Sequence, residues 1–300
     1  MSSASSKIYG LIGYPVKHSF SPVMHNAAFE YIGMDAEYRL FPVIPRALDD
    51  FFQKNLLIKD TYGNEVRAND ILGFNVTVPH KERVLDFISL DRESAHLNRI
   101  RAVNTVVRKG GICSGYNTDI DGFRWHLMEK NFFKPQGKRI AILGAGGAAR
   151  AVTYALAKSG AGSIAIFDIE QSKSESIAEM IKGIFPECQI SCAQAIEELD
   201  IPGKDLLVNA TPVGLNPADP CLVGAQMLHK GLFVYDLIYN PLETKLLALA
   251  RKCGCLVSNG LGMLQYQGAL SFQYFTGAQV PIEKIFRVMG QALRKEIDKL

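Results

Sequence analysis

The chain has 300 residues, of which 48% are hydrophobic and 21% are charged, and its formal net charge is +3. This composition predicts a globular protein with room for two hydrophobic cores, and the interspersed charges argue against a partner nucleic acid. No apolar run approaches the roughly 20 residues of a membrane helix. The six cysteines and six histidines show no metal-ligand spacing, and the polar first seven residues resemble no signal peptide. We therefore expect a cytoplasmic protein without a metal or membrane partner.

Strands and helices alternate through roughly the first 115 residues, which predicts a mixed α/β domain. We expect Ser21 to be the N-cap of the first helix and Pro22 its first helical residue. The predicted strands are 8–13, 38–43 and 73–78, followed by a hairpin of 102–108 and 111–115 that turns at Lys109-Gly110. Further predicted helices are 47–54, 80–88 and a connecting helix 119–131.

A glycine-rich turn follows the apolar run 140–143 and opens a predicted helix, 150–158. Gly144 permits the tight turn, Gly146 lets the backbone approach a pyrophosphate, and Ala149 allows close helix packing. The next predicted strand, 163–167, ends at Asp168, which lies 19 residues after Ala149. A carboxylate at this position accepts hydrogen bonds from a ribose diol, which is free in NAD and phosphorylated in NADP. The pattern predicts dinucleotide binding and favours NAD.

The remaining pattern extends this dinucleotide-binding domain and then returns to helix. Its later strands are predicted at 189–192, 206–209, 233–237 and 256–258, with helices at 173–185, 224–228 and 244–252. Two more predicted helices, 263–275 and 282–300, exceed what such a domain requires. We therefore predict a two-domain α/β protein with a discontinuous substrate domain, 1–118 and 260–300, and a Rossmann-type NAD(P)-binding domain, 119–259.

Several polar residues lie where predicted strands end and helices begin. Thr77 and Lys81 occupy the carboxyl end of a strand, the edge at which α/β sheets collect ligands. Ser19 and Ser21 could hold a carboxylate or simply cap a helix, and Asp119 could likewise be a capping residue. The segment 209–214 could line the nicotinamide or form a turn.

In combination, the motifs resemble those of the shikimate dehydrogenase family, including its quinate/shikimate branch. The resemblance covers about residues 7–290 and rests on motifs in a fixed order: HSFSPVMH at 18–25, NVTVPHK at 75–81, AVNT at 102–105, YNTD at 116–119, GAGGAAR at 144–150, NATP at 209–212, YNP at 239–241, and GLGML at 260–264 with Gln267.

The resemblance implies a role for each matched residue. Lys81 and Asp119 would be the catalytic pair, with Lys81 either relaying the proton or stabilising the developing alkoxide. Ser19 and Ser21 would hold the substrate carboxylate, with Tyr239 nearby. The ring hydroxyls would bind Thr77, Asn104, Asp119 and Gln267, and the cofactor would contact Gly144, Ala145, Gly146, Gly147, Ala148, Asp168, Thr211, Leu237, Gly260 and Met263.

The chain departs from the family pattern at the adenosine ribose. Many family members use NADP and carry Asn-Arg-Thr-x-x-Arg there, whereas this chain has FDIEQS at 167–172. Because Asp168 and Glu170 would repel a phosphate, we predict a preference for NAD over NADP. NAD use in turn raises the possibility of activity on quinate as well as shikimate.

Other functions remain open from the sequence alone. A module that senses shikimate-like ligands without turnover is one alternative, although such a sensor would not need both Lys81 and Asp119. A Rossmann reductase of another substrate would leave the first 118 residues unexplained. The sequence leaves open whether the protein is a monomer or a homodimer.

Overall fold

The computed structural model describes residues 6–53, 56–92 and 94–299. The chain divides into two compact units, the first formed by 1–118 with 265–300 and the second by 119–264. Residues 1–5 of the predicted polar tail, Lys54 and Leu300 lie outside the described residues.

The first unit is built on a five-stranded mixed sheet in the order β2-β1-β5-β6-β7. Strands β1, β2 and β5 are parallel, whereas β6 is antiparallel to both of its neighbours. The bounds are β1 Lys7–Gly13, β2 Ala36–Pro42, β3 Leu57–Lys59, β4 Glu65–Arg67, β5 Ile71–Val76, β6 Thr105–Lys109 and β7 Ile112–Tyr116, and the helices among them are α1 Ser21–Tyr31, α2 Leu48–Gln53 and α3 Leu97–Ile100.

This topology gathers four chain segments at one edge of the first sheet. The carboxyl ends of β1 and β5 lie at that edge because the two strands are parallel. The start of β6 and the end of β7 lie there too, since β6 runs antiparallel to β5 and β7 antiparallel to β6. The residues after β1, β5 and β7 and those before β6 therefore share one edge of the sheet.

Several predicted elements of the first unit differ from the observed ones. No α-helix covers 80–88, because the Lys81 carbonyl accepts a hydrogen bond from the Val103 N–H (2.8 Å) and only a short 3₁₀ helix forms at Arg83–Phe87. Helix α1 begins one residue early, with Phe20 as N-cap, so Ser21 is its first residue. Helix α2 follows a 3₁₀ turn at Pro45–Ala47.

The two hairpins of the first unit also correct the prediction. Strands β6 and β7 turn through Gly110 and Gly111 rather than Lys109-Gly110, and both glycines have positive φ (57° and 81°). Two positive φ values in succession are typical of a type I′ turn, in which glycine is favoured. The short hairpin of β3 and β4 escaped the sequence analysis because three-residue strands carry too little alternation to detect.

The second unit contains a six-stranded parallel sheet in the order β10-β9-β8-β11-β12-β13. The strands are β8 Arg139–Leu143, β9 Ser163–Phe167, β10 Gln189–Ala193, β11 Leu206–Asn209, β12 Phe233–Asp236 and β13 Leu256–Ser258, and the helices are α4 Thr118–Trp125, α5 Gly147–Lys158, α6 Gln171–Ile184 and α7 Lys245–Lys252. The chain reverses its direction across the sheet between β8 and β11, and ligands of such sheets bind outside the carboxyl ends of the strands at that switch point. The fold class expected from the sequence is confirmed.

Two helices predicted in the second unit differ from the observed structure. The connecting helix is α-helical only to Trp125 and continues as a π-helical turn, His126–Lys130. The predicted helix at 224–228 is a 3₁₀ turn, Ala225–Met227.

The chain ends in two long helices, α8 (Leu261–Thr276) and α9 (Ile282–Ile297). The boundary between the units falls inside α8, so residues 260–264 belong to the second unit. The sequence analysis had predicted them in the first unit. The physical reason is close packing: a Cβ at Gly260 would overlap the Leu237 backbone, and one at Gly262 would overlap the His126 ring.

An aromatic cluster fills the first unit beneath α1 and α8. His25 is fully buried in it and stacks on Tyr38, with 4.3 Å between ring centroids and 6° between ring planes. Among the residues that the structure describes, neither nitrogen of the His25 ring has a hydrogen-bond partner. Burial lowers the pKa of His25 to about 3, so the ring is neutral and serves as a packing group.

Candidate active site

Two serine hydroxyls follow β1 and precede α1. The Ser21 N–H donates to Ser19 Oγ (3.2 Å), and Ser19 Oγ donates to Ser21 Oγ (3.1 Å). Ser19 thereby caps the helix from outside, while Ser21 lies in its first turn and is 5% exposed. A hydroxyl pair at a helix N-terminus suits an anionic group, because N–H donors and the positive end of the helix dipole face the same point.

The turn after β5 carries Thr77 and Lys81. The Thr77 N–H donates to the Ile12 carbonyl (3.0 Å), and a Cβ at Gly13 would overlap the Thr77 side chain. Inside the turn, buried His80 donates from Nε2 to the Val43 carbonyl (2.6 Å). Burial lowers the pKa of His80, so it acts as a neutral donor that holds the turn. Lys81 is the next residue after His80 and is half-buried.

Asn104 and Gln267 meet in the first unit. Asn104 precedes β6, Gln267 projects from α8, and the Asn104 Nδ2 donates to Gln267 Oε1 (3.4 Å) and to Thr118 Oγ1 (3.0 Å). The Thr118 N–H donates to Asn104 Oδ1 (2.7 Å), which fixes the orientation of the Asn104 amide. Both amides are nearly buried, at 3% and 8% exposure.

A buried polar network lies behind these amides, and the sequence analysis did not identify it as part of the site. Ser271 is its centre: its Oγ accepts from Asn75 Nδ2 (2.9 Å) and contacts Thr105 Oγ1 (2.9 Å) and Thr118 Oγ1 (3.0 Å). Tyr38 Oη also donates to Asn75 Oδ1 (2.8 Å). Three of the five residues, Asn75, Thr105 and Thr118, lie within the quoted motifs. Tyr38 lies outside them, and Ser271 is an isolated serine on an apolar helix that gives no signal.

The glycine-rich turn lies at the switch point of the second sheet. Gly144 has a φ of +95°, which favours glycine, and its N–H donates to the Phe167 carbonyl (2.7 Å). A Cβ at Gly146 would meet no atom within 4 Å, so open space lies before the N-terminus of α5. Ala145 and Ala149 are fully buried, whereas Ala148 is half-buried in the first turn. This cradle fits a pyrophosphate, which would accept hydrogen bonds from the helix N–H groups.

Asp168 lies directly after β9, beside the glycine-rich turn. Its Oδ2 accepts from the Ala145 N–H (2.6 Å), and its Oδ1 accepts from the Glu170 N–H (2.8 Å). The next residue, Ile169, is 90% exposed. A half-buried carboxylate in this position has lone pairs left for a further donor such as a ribose hydroxyl.

The other predicted cofactor residues follow β11, β12 and β13 at the same carboxyl edge. The N–H and Oγ1 of Thr211 donate to Asn209 Oδ1 (3.1 and 2.7 Å). The Leu237 N–H donates to the Asn209 carbonyl (2.9 Å), and the Gly260 N–H donates to the Ile238 carbonyl (3.1 Å). Met263 is buried in the first turn of α8.

Asp119 and Tyr239 complete the predicted set and belong to the second unit. Asp119 is 5% exposed in the first turn of α4, directly after Thr118 of the amide network. Tyr239 is half-buried in the segment after β12.

His126 packs against the start of α8, and the sequence did not mark it. Its Nδ1 is 2.5 Å from the Tyr235 hydroxyl, and a Cβ at Gly262 would overlap its ring. Burial lowers the pKa of His126 to about 4 and raises that of the Tyr235 phenol, so both groups are neutral near pH 7.

Within 6–53, 56–92 and 94–299, no three His, Cys, Asp or Glu side chains gather as metal ligands would. In the same ranges, no helix combines the length and the apolar character needed to cross a bilayer.

A glycine-rich turn at the switch point of a parallel sheet, with an acid after the neighbouring strand, defines a dinucleotide-binding α/β protein. The model of the family described as "Shikimate dehydrogenase substrate binding domain" matches residues 11–106, and "Shikimate 5'-dehydrogenase C-terminal domain" matches residues 260–288. Shikimate dehydrogenase (NADP(+)) of Methanopyrus kandleri is 42% identical over 299 residues, covering 97% of each chain. The chain belongs to the shikimate dehydrogenase family and is an oxidoreductase that acts with NAD(P).

Solved structures agree with this assignment. Shikimate dehydrogenase from Aquifex aeolicus superposes with a TM-score of 0.82 at 36% identity, covering 98% of this chain and all of that one. Quinate dehydrogenase from Corynebacterium glutamicum, solved in complex with NAD, has a TM-score of 0.77 at 30% identity, and 96% and 100% of the two chains are covered.

Proposed function

We propose that the chain catalyses the reversible NAD-linked oxidation of shikimate to 3-dehydroshikimate. The observation that carries the cofactor choice is Asp168, whose carboxylate lies after β9 and against the glycine-rich turn. Family membership is the basis for the proposed reaction. The polar groups at the carboxyl edges of the two sheets are the basis for the proposed binding of substrate and cofactor.

In this proposal the first unit recognises the cyclic acid. Ser19 and Ser21 bind its carboxylate at the N-terminus of α1, and Tyr239 is the further residue proposed for carboxylate binding. Thr77, Asn104, Gln267 and Asp119 bind the ring hydroxyls. The short Asn104–Thr118 bonds support this role, since an amide held in one orientation presents a defined donor and acceptor pattern.

The second unit holds the dinucleotide. Residues 144–148 bind the pyrophosphate, Asp168 the adenosine ribose, and Thr211, Leu237, Gly260 and Met263 the nicotinamide portion. When bound, NAD accepts the hydride that leaves the substrate carbon. Lys81 either relays the accompanying hydroxyl proton or stabilises the developing alkoxide, with Asp119 as the second residue of the pair, because alcohol oxidation needs a positioned group at that oxygen.

The preference for NAD follows from the charge around the ribose. A 2′-phosphate beside Asp168 would meet a carboxylate where many family members offer arginine, and like charges at short range repel. The next basic residue along the chain, Lys173, forms an ion pair with Glu170 (2.6 Å). The M. kandleri relative is named for NADP(+), so a preference for NAD would set this chain apart from it.

Quinate is the second candidate substrate, and the quinate dehydrogenase bound to NAD is the observation that favours it. Quinate differs from shikimate by an added ring hydroxyl and a saturated ring. The hydroxyls of Ser19 and Ser21 lie at the carboxylate end, where that extra group would also bind.

A matrix of initial rates tests the proposal. NAD and NADP are each combined with shikimate and quinate, and reduced nicotinamide is followed by its absorbance. We expect the highest kcat/KM with NAD and shikimate, and a lower but measurable value with quinate. A protein that binds shikimate without reducing either cofactor would be a sensor, and faster turnover with NADP would refute the NAD assignment.

A further inference from the structure

Asp236, the last residue of β12, is a fully buried carboxylate that the proposed chemistry does not use. All the hydrogen bonds recorded for it in the described part of the chain come from uncharged groups. Burial raises the pKa of Asp236, and the three hydrogen bonds oppose that rise. Burying a carboxylate without a cation is unfavourable, and apolar replacements of buried ionic groups are often neutral or stabilising. A packing role therefore does not explain this residue.

The hydrogen bonds of Asp236 join two loops and a helix. Its Oδ1 accepts from Asn209 Nδ2 (3.0 Å), at the end of β11, and from the Ile238 N–H (3.0 Å), in the loop after β12. Its Oδ2 accepts from Thr244 Oγ1 (2.7 Å), the N-cap of α7, which in turn accepts from the Leu247 N–H (3.3 Å). One side chain thus fixes both loops that leave adjacent strands at the carboxyl edge.

Asp236 also determines how the Asn209 amide is oriented. Because Oδ1 of a carboxylate can only accept, the Asn209 NH₂ must face it, and the Asn209 carbonyl oxygen must point the other way. That oxygen accepts from both the N–H and the Oγ1 of Thr211. The second hydrogen of the Asn209 amide goes to the Val213 carbonyl (3.2 Å). The orientation of Thr211 therefore depends on Asp236 through one intermediate side chain.

We propose that Asp236 is a positioning residue for dinucleotide binding: through Asn209 and Ile238 it holds the loops that carry Thr211 and Leu237 in their binding geometry. The inference rests on the proposed function, in which Thr211 and Leu237 line the cofactor. It requires an acceptor oxygen at this position and does not require the negative charge.

Direct binding measurements test this role. Isothermal titration with NAD, NADP and shikimate is performed on the full chain, with the melting temperature recorded for each variant. For Asp236→Leu we expect the Kd for NAD to rise about tenfold or more, which corresponds to about 1.4 kcal/mol. The Kd for shikimate should rise less, because Tyr239 is the one proposed substrate residue in a loop that Asp236 holds. Asp236→Asn keeps an acceptor oxygen and should bind NAD within about threefold of the unmodified chain.

Asp205 provides a matched control at the opposite edge of the same sheet. It precedes β11, accepts from the Arg139 N–H (2.8 Å) and pairs with Lys138 (3.4 Å). We expect Asp205→Leu to lower the melting temperature without changing the Kd for NAD. An equal loss of NAD affinity in the Asp205 and Asp236 variants would mean that both act through stability alone, and would overturn the inference.

If Asp236→Leu does not fold, two near-isosteric substitutions test the same role. Asn209→Asp places two carboxylates together and should weaken NAD binding, and adding Asp236→Asn should restore most of it. Unchanged NAD affinity in folded Asp236→Leu, or no restoration in the double variant, would overturn the positioning role. Failure of the unmodified chain to bind either dinucleotide would instead refute the proposed function.

Discussion

Replacing Lys81 by alanine should lower kcat by roughly 100-fold or more while the KM for shikimate changes less. Lys81 follows a turn held by the Thr77 and His80 hydrogen bonds, so the substitution removes the amine and leaves its support in place. Initial rates with NAD and shikimate measure the effect. An exposed lysine of the same unit, Lys59, forms an ion pair with surface Glu65 (3.4 Å), and Lys59→Ala should leave both constants unchanged. A large rise in KM with an unaltered kcat would make Lys81 a binding residue.

Lys81→Arg separates the two roles left open for this amine. Arginine keeps the positive charge but cannot give up its proton in a protein. If Lys81 relays the hydroxyl proton, the arginine variant should be as slow as the alanine variant. If Lys81 stabilises the developing alkoxide, the arginine variant should recover part of the lost rate.

Replacing Asp168 by asparagine should reduce the preference for NAD over NADP by about tenfold or more. The amide oxygen can still accept a hydrogen bond from Ala145, so the glycine-rich turn keeps its support while the charge that repels a 2′-phosphate is removed. The measurement is the ratio of kcat/KM for the two cofactors with shikimate. Glu175→Gln, on the exposed face of α6, is the matched control and should leave the ratio unchanged. If the ratio of kcat/KM for the two cofactors is unaltered in Asp168→Asn, Asp168 does not determine which cofactor the protein prefers.

The sequence could predict which segments share an edge of each sheet, because parallel strands place their carboxyl ends together. Gly144 and Asp168 follow adjacent strands β8 and β9, and their spacing alone indicated that they would be neighbours. Thr77 was located correctly at a strand end for the same reason. These inferences depend on the period of the hydrophobic pattern and on glycine chemistry, which are local properties of the chain.

Features set by tertiary contacts could not be predicted. The segment after Lys81 has a helical pattern. An α-helix does not form there because the Lys81 carbonyl accepts a hydrogen bond from the Val103 N–H instead. Ser271 and Asp236 gain their importance from partners distant in sequence, and neither is marked by its neighbours along the chain. Residues 260–264 group with the second unit, whereas the sequence analysis predicted them in the first, and the close glycine packing at this point leaves no trace in a hydrophobic pattern.

A crystal structure of the protein with shikimate and NAD is the most direct measurement. We expect the shikimate carboxylate at the hydroxyls of Ser19 and Ser21, the reacting hydroxyl within hydrogen-bond distance of Lys81 and Asp119, and the ribose diol on Asp168. Shikimate bound away from Lys81, or a ribose with no contact to Asp168, would contradict the proposed assignment of these residues.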